Sequence, residues 1–274
     1  MASTVASLLS TLALASSLSG TGSVVDAKVE GDTLVAEIAA GGASATLALR
    51  FEQVVGLSLD NVGLSVEAIN PLDTALLARL GPSASLLPAF PVLVRIEPPA
   101  DGGLAFSGVV ELEIYTHDLH FAPGALFRMY AASAGGSFLD ITSSEGSGSY
   151  RSGGVRGNFS EFLLASDIRA TSDVVNSKYQ RLSGLLSHHA AKIQPLVQAE
   201  LGQLHTASLE AWQQDDVPGA ITQIEAFARA VKEHSGTGLP DVWRSTGDLD
   251  NVAGELRAAA ATLRFSLTLA SNAL

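Results

Sequence analysis

The residues best placed to do chemistry form a short run, Thr116-His117-Asp118-Leu119-His120, just past the most regular strand pattern in the chain. An imidazole pair and a carboxylate this close together could ligate Zn2+ or Ni2+ if the segment turns. If it stays extended, side chains alternate between faces, and His117 and His120 point opposite ways and cannot share an ion. No other histidine lies upstream to complete a metal site. We therefore take His117, Asp118 and His120 as a candidate binding set and assign no metal.

The other candidates are weaker. Glu111 and Glu113 sit two apart on a strand, about 7 Å between Cα atoms. A glycosidase pair needs one such carboxyl held in a cleft with a raised pKa, whereas alternating glutamates normally mark a solvent face. His188 and His189 are neighbours on a helix and diverge by about 100°; near a helix C-terminus their ordinary role is to complement the dipole. His205 and His234 are isolated and expected at the surface or half-buried. Gly-x-Ser-x-Gly is absent. The Gly146–Gly157 stretch lacks the helix that a phosphate-binding loop places behind its ligand. Asp215-Asp216 lacks the repeated carboxylates of a calcium loop and reads as a helix N-cap. The chain has no cysteine, so thiolate metal sites, disulfides and cysteine nucleophiles are excluded. We assign no catalytic residue and no cofactor, and read the protein as non-enzymatic.

The elements that hold these residues change character once. Val24–Val29, Thr33–Ile38, Ala45–Phe51, Gly63–Ile69, Val92–Glu97, Val109–Tyr115, Ala125–Ala131, Phe138–Ile141 and Phe159–Ala165 read as short strands separated by turn residues. Ser143–Gly157 reads as a turn-rich hairpin, and Thr74–Leu80 as a short helix between breakers. From Asp167 the period lengthens. Val174, Tyr179, Leu182 and Leu186 have helical spacing, Pro195 and Pro218 each open a further helix, and an Ala- and Leu-rich helix covers roughly Leu249–Ser271. The expectation is an α+β protein in two segregated parts. An antiparallel β-sandwich (immunoglobulin-like or Greek-key) spans residues 22–168, and an antiparallel bundle of three to four helices spans 169–274.

Charge follows the same division. The formal net charge is −12; residues 1–168 carry 17 acidic and 7 basic side chains, and residues 169–274 carry 11 and 9. So acidic a chain is a poor partner for nucleic acid or anionic lipid, which require clustered Lys and Arg. Residues 1–21 read as a signal-like or disordered leader: Val5–Leu14 is apolar and Ala13-Leu14-Ala15 offers a cleavage site, although no basic residue precedes the run. No stretch has the roughly 18 to 20 continuous apolar residues of a membrane span. The leader points to a secreted, periplasmic or cell-envelope protein.

Two segments carry a resemblance. Leu204, Ala207 and Ala211, the turn through Gly219, and Ala220-Ile221, Ile224-Glu225-Ala226-Phe227 and Val231 resemble the FIMAH-type helical domain at the end of various secreted bacterial proteins. Phe138-Leu139-Asp140-Ile141-Thr142, Gly148-Ser149-Tyr150-Arg151 and Phe159-Ser160-Glu161-Phe162-Leu163 look like uncharacterised bacterial export-signal proteins with a β-sandwich. The resemblance implies an extracytoplasmic setting and a modular build, and supplies no catalytic residues. The functional expectation is a non-catalytic module that binds protein or glycan or self-associates. Two alternatives stand beside it: an extracellular hydrolase whose site is invisible in sequence, and a structural assembly subunit.

Overall fold

The computed structural model describes residues 20–122, 126–159 and 161–272. The apolar run Val5–Leu14 and its expected cleavage site lie outside the described residues, as do Ala125 and Ser160.

Turn chemistry sets the first half. β1 (Gly20–Thr21) and β2 (Ser23–Glu30) precede Gly31, and β3 (Thr33–Ala40) runs back along β2. β4 (Ala43–Val55) follows Gly41 and Gly42, both at positive φ, as the primed two-residue hairpin turn demands. A short helix α1 (Leu59–Val62), capped by Ser58, leads to β5 (Leu64–Ala68). Helix α2 (Thr74–Leu80) starts where expected because Asp73 accepts hydrogen bonds from the Ala75 and Leu76 amides. The remaining strands of this half are β6 (Ala84–Leu86), β7 (Val92–Ile96), β8 (Ala105–Thr116), β9 (Phe127–Ala132), β10 (Leu139–Asp140), β11 (Thr142–Gly146), β12 (Tyr150–Arg156) and β13 (Glu161–Asp167). Four long helices then dominate: α3 (Thr171–His188), α4 (Pro195–Gln213), α5 (Val217–His234) and α6 (Val252–Asn272), with β14 (Val242–Arg244) before the last.

The protein is thus α+β, with two antiparallel sheets and helices mostly toward the C-terminus. One sheet runs β1-β5-β7-β13-β9-β10, with β6 also on β13; the other runs β11-β12-β8-β4-β3-β2, with β14 also on β8. The two share one apolar core. Leu47, Leu49, Leu112 and Ile114 from the second sheet meet Val94, Ile96, Phe162 and Leu164 from the first, all essentially inaccessible to water. The strands of the first sheet also bury their outer face, where Leu93, Tyr130 and Leu163 lie under Leu80 of α2. A separate core joins the helices through Tyr179, Leu182, Leu201, Phe227, Leu256 and Leu263.

The helices are joined to the sheets by more than chain connectivity. β14 lies beyond residue 169 yet pairs with β8, and Trp243 stacks on Phe106 with ring centroids 5.3 Å apart. Helix α6 crosses β8, β12 and β11. Its N-terminus is anchored by the buried Asn251, whose Nδ2 donates to the carbonyls of Gly108 (2.6 Å) and Gly157 (3.2 Å). The Oδ1 of Asn251 accepts from Gly254 N at 2.8 Å. A Cβ at Gly157 would strike the backbone of Gly254 and Glu255, so glycine is needed for this close approach. Four short elements, β1, β6, β14 and α1, have no counterpart in the sequence pattern, because pieces of two to four residues carry no readable period.

Candidate functional site

An open groove of about 910 Å³ lies between α3 and α4. It arises from how α3 divides its faces. Val175, Tyr179, Leu182 and Leu186 turn into the helical core, while Ser172, Asn176, Gln180, Ser183 and Ser187, spaced three and four apart, form a polar line along the groove. Helix α4 supplies the facing wall with His205, Leu209 and Trp212. Pro195 at the first turn of α4 begins the helix without losing an intrahelical hydrogen bond.

A relay of hydrogen bonds fixes the floor. The Tyr179 hydroxyl lies 2.7 Å from Ser208 Oγ, which donates to the Ala220 carbonyl at 2.8 Å. Burial raises the Tyr179 phenol above its ordinary value, offset in part by the bond to Ser208. His205 Nε2 lies 3.2 Å from the Tyr179 carbonyl, and the two rings meet edge to face. Across the mouth, Trp212 Nε1 donates to Asn176 Oδ1 at 2.9 Å, which sets the indole plane against the polar line of α3. Asp215 closes one end in a left-handed backbone conformation at φ +60. Among the described residues, no Lys or Arg lines the groove. An aromatic face, amides and hydroxyls without cationic charge suit a neutral ligand rich in hydroxyls or amides, which needs both donors and acceptors.

The residues singled out in the sequence lie elsewhere and diverge. His117 Nδ1 is 2.8 Å from Ser149 Oγ in the β11–β12 turn, whereas Asp118 Oδ2 accepts from Ser44 N at 2.7 Å at the start of β4. Because β12 and β4 flank β8 on opposite sides, the two side chains are drawn apart. His120 is exposed and joins neither bond. Among the described residues, no group of three or more His, Cys, Asp or Glu side chains could hold a metal ion.

Glu113 is bound by Arg151 at 2.7 Å and approached by Arg50 at 3.5 Å, while Glu111 remains exposed. His189 does more than complement a helix dipole, since its Nε2 lies 3.0 Å from Glu255 of α6. His205, expected at the surface or half-buried, is buried, because the Tyr179 carbonyl gives its ring a partner inside the fold. Asp216 caps α5 by accepting from Gly219 N, as its acidic pair suggested. The groove itself was missed. Its one signal in the sequence is the unbroken polar line 172-176-180-183-187 opposite the apolar stripe of α3, with a tryptophan late in α4.

A family profile described as "Family of unknown function (DUF6689)" matches residues 3–271. The chain belongs to the DUF6689 family. The matched stretch takes in both sheets and all the long helices, so the groove and the seam between sheets and helices both fall within the DUF6689 unit. A search of curated proteins finds no match. Among the described residues of this DUF6689 protein, no helix is long and apolar enough to cross a membrane.

Proposed function

We propose that this DUF6689 protein is a non-catalytic binding module of the cell exterior or envelope, and that its α3–α4 groove takes a neutral glycan. The observation that carries the reading is Trp212, held by Asn176 at the mouth of a groove lined by amides and hydroxyls, with the Asp215 carboxylate at one end and no cationic Lys or Arg among its described residues. A pyranose offers an apolar face for the indole and hydroxyls that both donate and accept, which Asn176 and Gln180 can match. The groove is open along its length, which suits a chain rather than a single enclosed sugar.

The export reading rests on the apolar run Val5–Leu14 with its Ala13-Leu14-Ala15 motif, on the absence of cysteine, and on the FIMAH-like segment Leu204–Val231. The same proposal includes a Greek-key or immunoglobulin-like sandwich for the sheets and an antiparallel bundle for the long helices. The shared inter-sheet core and the short loops between α3, α4 and α5 support it.

The test is a glycan array probed with the wild-type protein and with Trp212→Ala. Binding to a set of neutral oligosaccharides, weakened by about tenfold or more in the variant, is the expected result, equal to about 1.4 kcal/mol. Binding that survives Trp212→Ala unchanged would place any glycan site elsewhere. Mass spectrometry of the protein from its native host tests export, which an intact Met1 on the mature protein would contradict.

A further inference from the structure

Along the seam between the sheets and α3 lie two cavities of about 210 and 370 Å³, and Leu139 and Arg181 line both. Four basic side chains face this seam: Arg156, Arg169, Lys178 and Arg181. Three of them are engaged. Lys178 forms an ion pair with Asp140 (2.8 Å) and donates to Ser266 Oγ (2.9 Å) and the Thr262 carbonyl (3.2 Å). Arg169 grips both oxygens of Asp167. Arg156 is buried and contacts Asn158. The Glu255 carboxylate stands on the wall of the larger cavity; it is bonded by Asn158 and His189, at 3.0 Å each, and its charge also supports Arg156 and Arg181.

Arg181 is different. Among the described residues its guanidinium makes no hydrogen bond and no ion pair, although it is only partly exposed and stands on the wall of both cavities. Partly buried guanidinium donors ordinarily find acceptors. Arg156, on the wall of the same larger cavity, adds a like charge. Burial first, and then the charge of Arg181, hold the Arg156 pKa down to about 10, so it remains a cation at neutral pH. The Arg181 guanidinium, which bonds to no described residue, is best reconciled by an oxyanion in this cavity that it can bind through charge-assisted hydrogen bonds, with the charge of Arg156 beside it.

We propose that the larger cavity binds a small organic carboxylate at Arg181. Its volume equals about a dozen waters at about 30 Å³ each, more than a lone inorganic ion would fill. The rest of its wall includes Ala132, Leu185 and Ala258, which would receive an apolar body behind the carboxyl group. This site is independent of the α3–α4 groove, and either can fail without the other.

The experiment is isothermal titration of the full chain with propionate, butyrate, succinate and inorganic phosphate in a chloride buffer, repeated on Arg181→Gln and on the surface control Arg264→Gln. The expected result is saturable one-to-one binding of at least one carboxylate, weakened about tenfold or more by Arg181→Gln and unchanged by Arg264→Gln. Without ligand, Arg181→Gln should keep or raise the melting temperature, since burial disfavours that cation more than the charges of Asp140 and Glu255 support it. The proposal is overturned by no saturable carboxylate binding, by phosphate binding as tightly as every carboxylate, by equal binding in Arg181→Gln, or by a lowered melting temperature of that variant without ligand.

Discussion

Single residues carry the union of sheets and helices. The ion pair Lys178–Asp140 is withdrawn from water, and Asp140 also accepts from Thr142 N at 2.8 Å. Burial alone would raise the Asp140 carboxyl, but the Lys178 ammonium and Thr142 outweigh it and hold the carboxyl below its ordinary value. Removing only one partner strands a buried charge, so Lys178→Met should cost about 3–5 kcal/mol in denaturant unfolding. Lys178→Met with Asp140→Leu should recover most of that. A double variant no more stable than the single one would show that the pair is not the source of the loss.

Asp167 behaves like Asp140. Burial pushes its carboxyl up, and Arg169 with the Tyr130 hydroxyl pull it below the usual range. Groups with depressed folded-state pKa values contribute stability above the unfolded value, about 3.9, and lose it as the pH falls through the folded value. Unfolding free energy should therefore hold from neutrality to about pH 5 and drop below about pH 4, with Asp167→Asn flattening part of that drop. Glu145 works the other way. Its burial exceeds the pull of Arg128, its carboxyl is raised, and its contribution is lost as the pH rises through the folded value. None of these pairs was legible in the sequence, because Lys178 and Asp140 are 38 positions apart and each looks like a surface charge in its own segment. The His117–Asp118–His120 run shows the converse: adjacency in sequence suggested a joint site, and two flanking strands pull its members to different neighbours.

Elements were read well where period and punctuation agree. Helix α2 begins at Thr74 behind Asp73, the Gly41–Gly42 turn joins two alternating strands, and Pro195 and Pro218 mark the starts of α4 and α5. Asp216→Ala, which removes the α5 cap, should lower stability by about 1 kcal/mol as read from the melting curve. An unchanged curve would mean that the core contacts of α5 alone set its start. The elements missed were those whose existence depends on tertiary pairing. β14 is three residues long and forms because β8 offers an open backbone ladder beside it and Phe106 a ring to stack on. The α3–α4 groove was hidden for a related reason. Sequence shows which face of α3 is polar, but not that α4 stands far enough away to leave that face unfilled.

At the scale of the whole molecule, the pairing of β14 with β8 and the Asn251 anchor tie the helices to the sheets. One cooperative transition is expected. Trp212 lies in the helices and Trp243 against the sheets, so fluorescence of Trp212→Phe and Trp243→Phe variants should report the same midpoint as far-ultraviolet dichroism. Distinct midpoints would show two separately folding parts. Asn251→Ala should lower that common midpoint, since it strands the Gly108 and Gly157 carbonyls at a cost of about 1–3 kcal/mol.

The central claim is that the α3–α4 groove recognises a neutral glycan through Trp212. It is tested most directly by titrating Trp243→Phe, in which Trp212 is the sole indole, with neutral oligosaccharides and following its emission. The account predicts a saturable change in emission wavelength and intensity, weakened about tenfold when Asn176→Ala is added. Trp212 emission that stays constant across the series, while the same sugars bind by calorimetry, would contradict it.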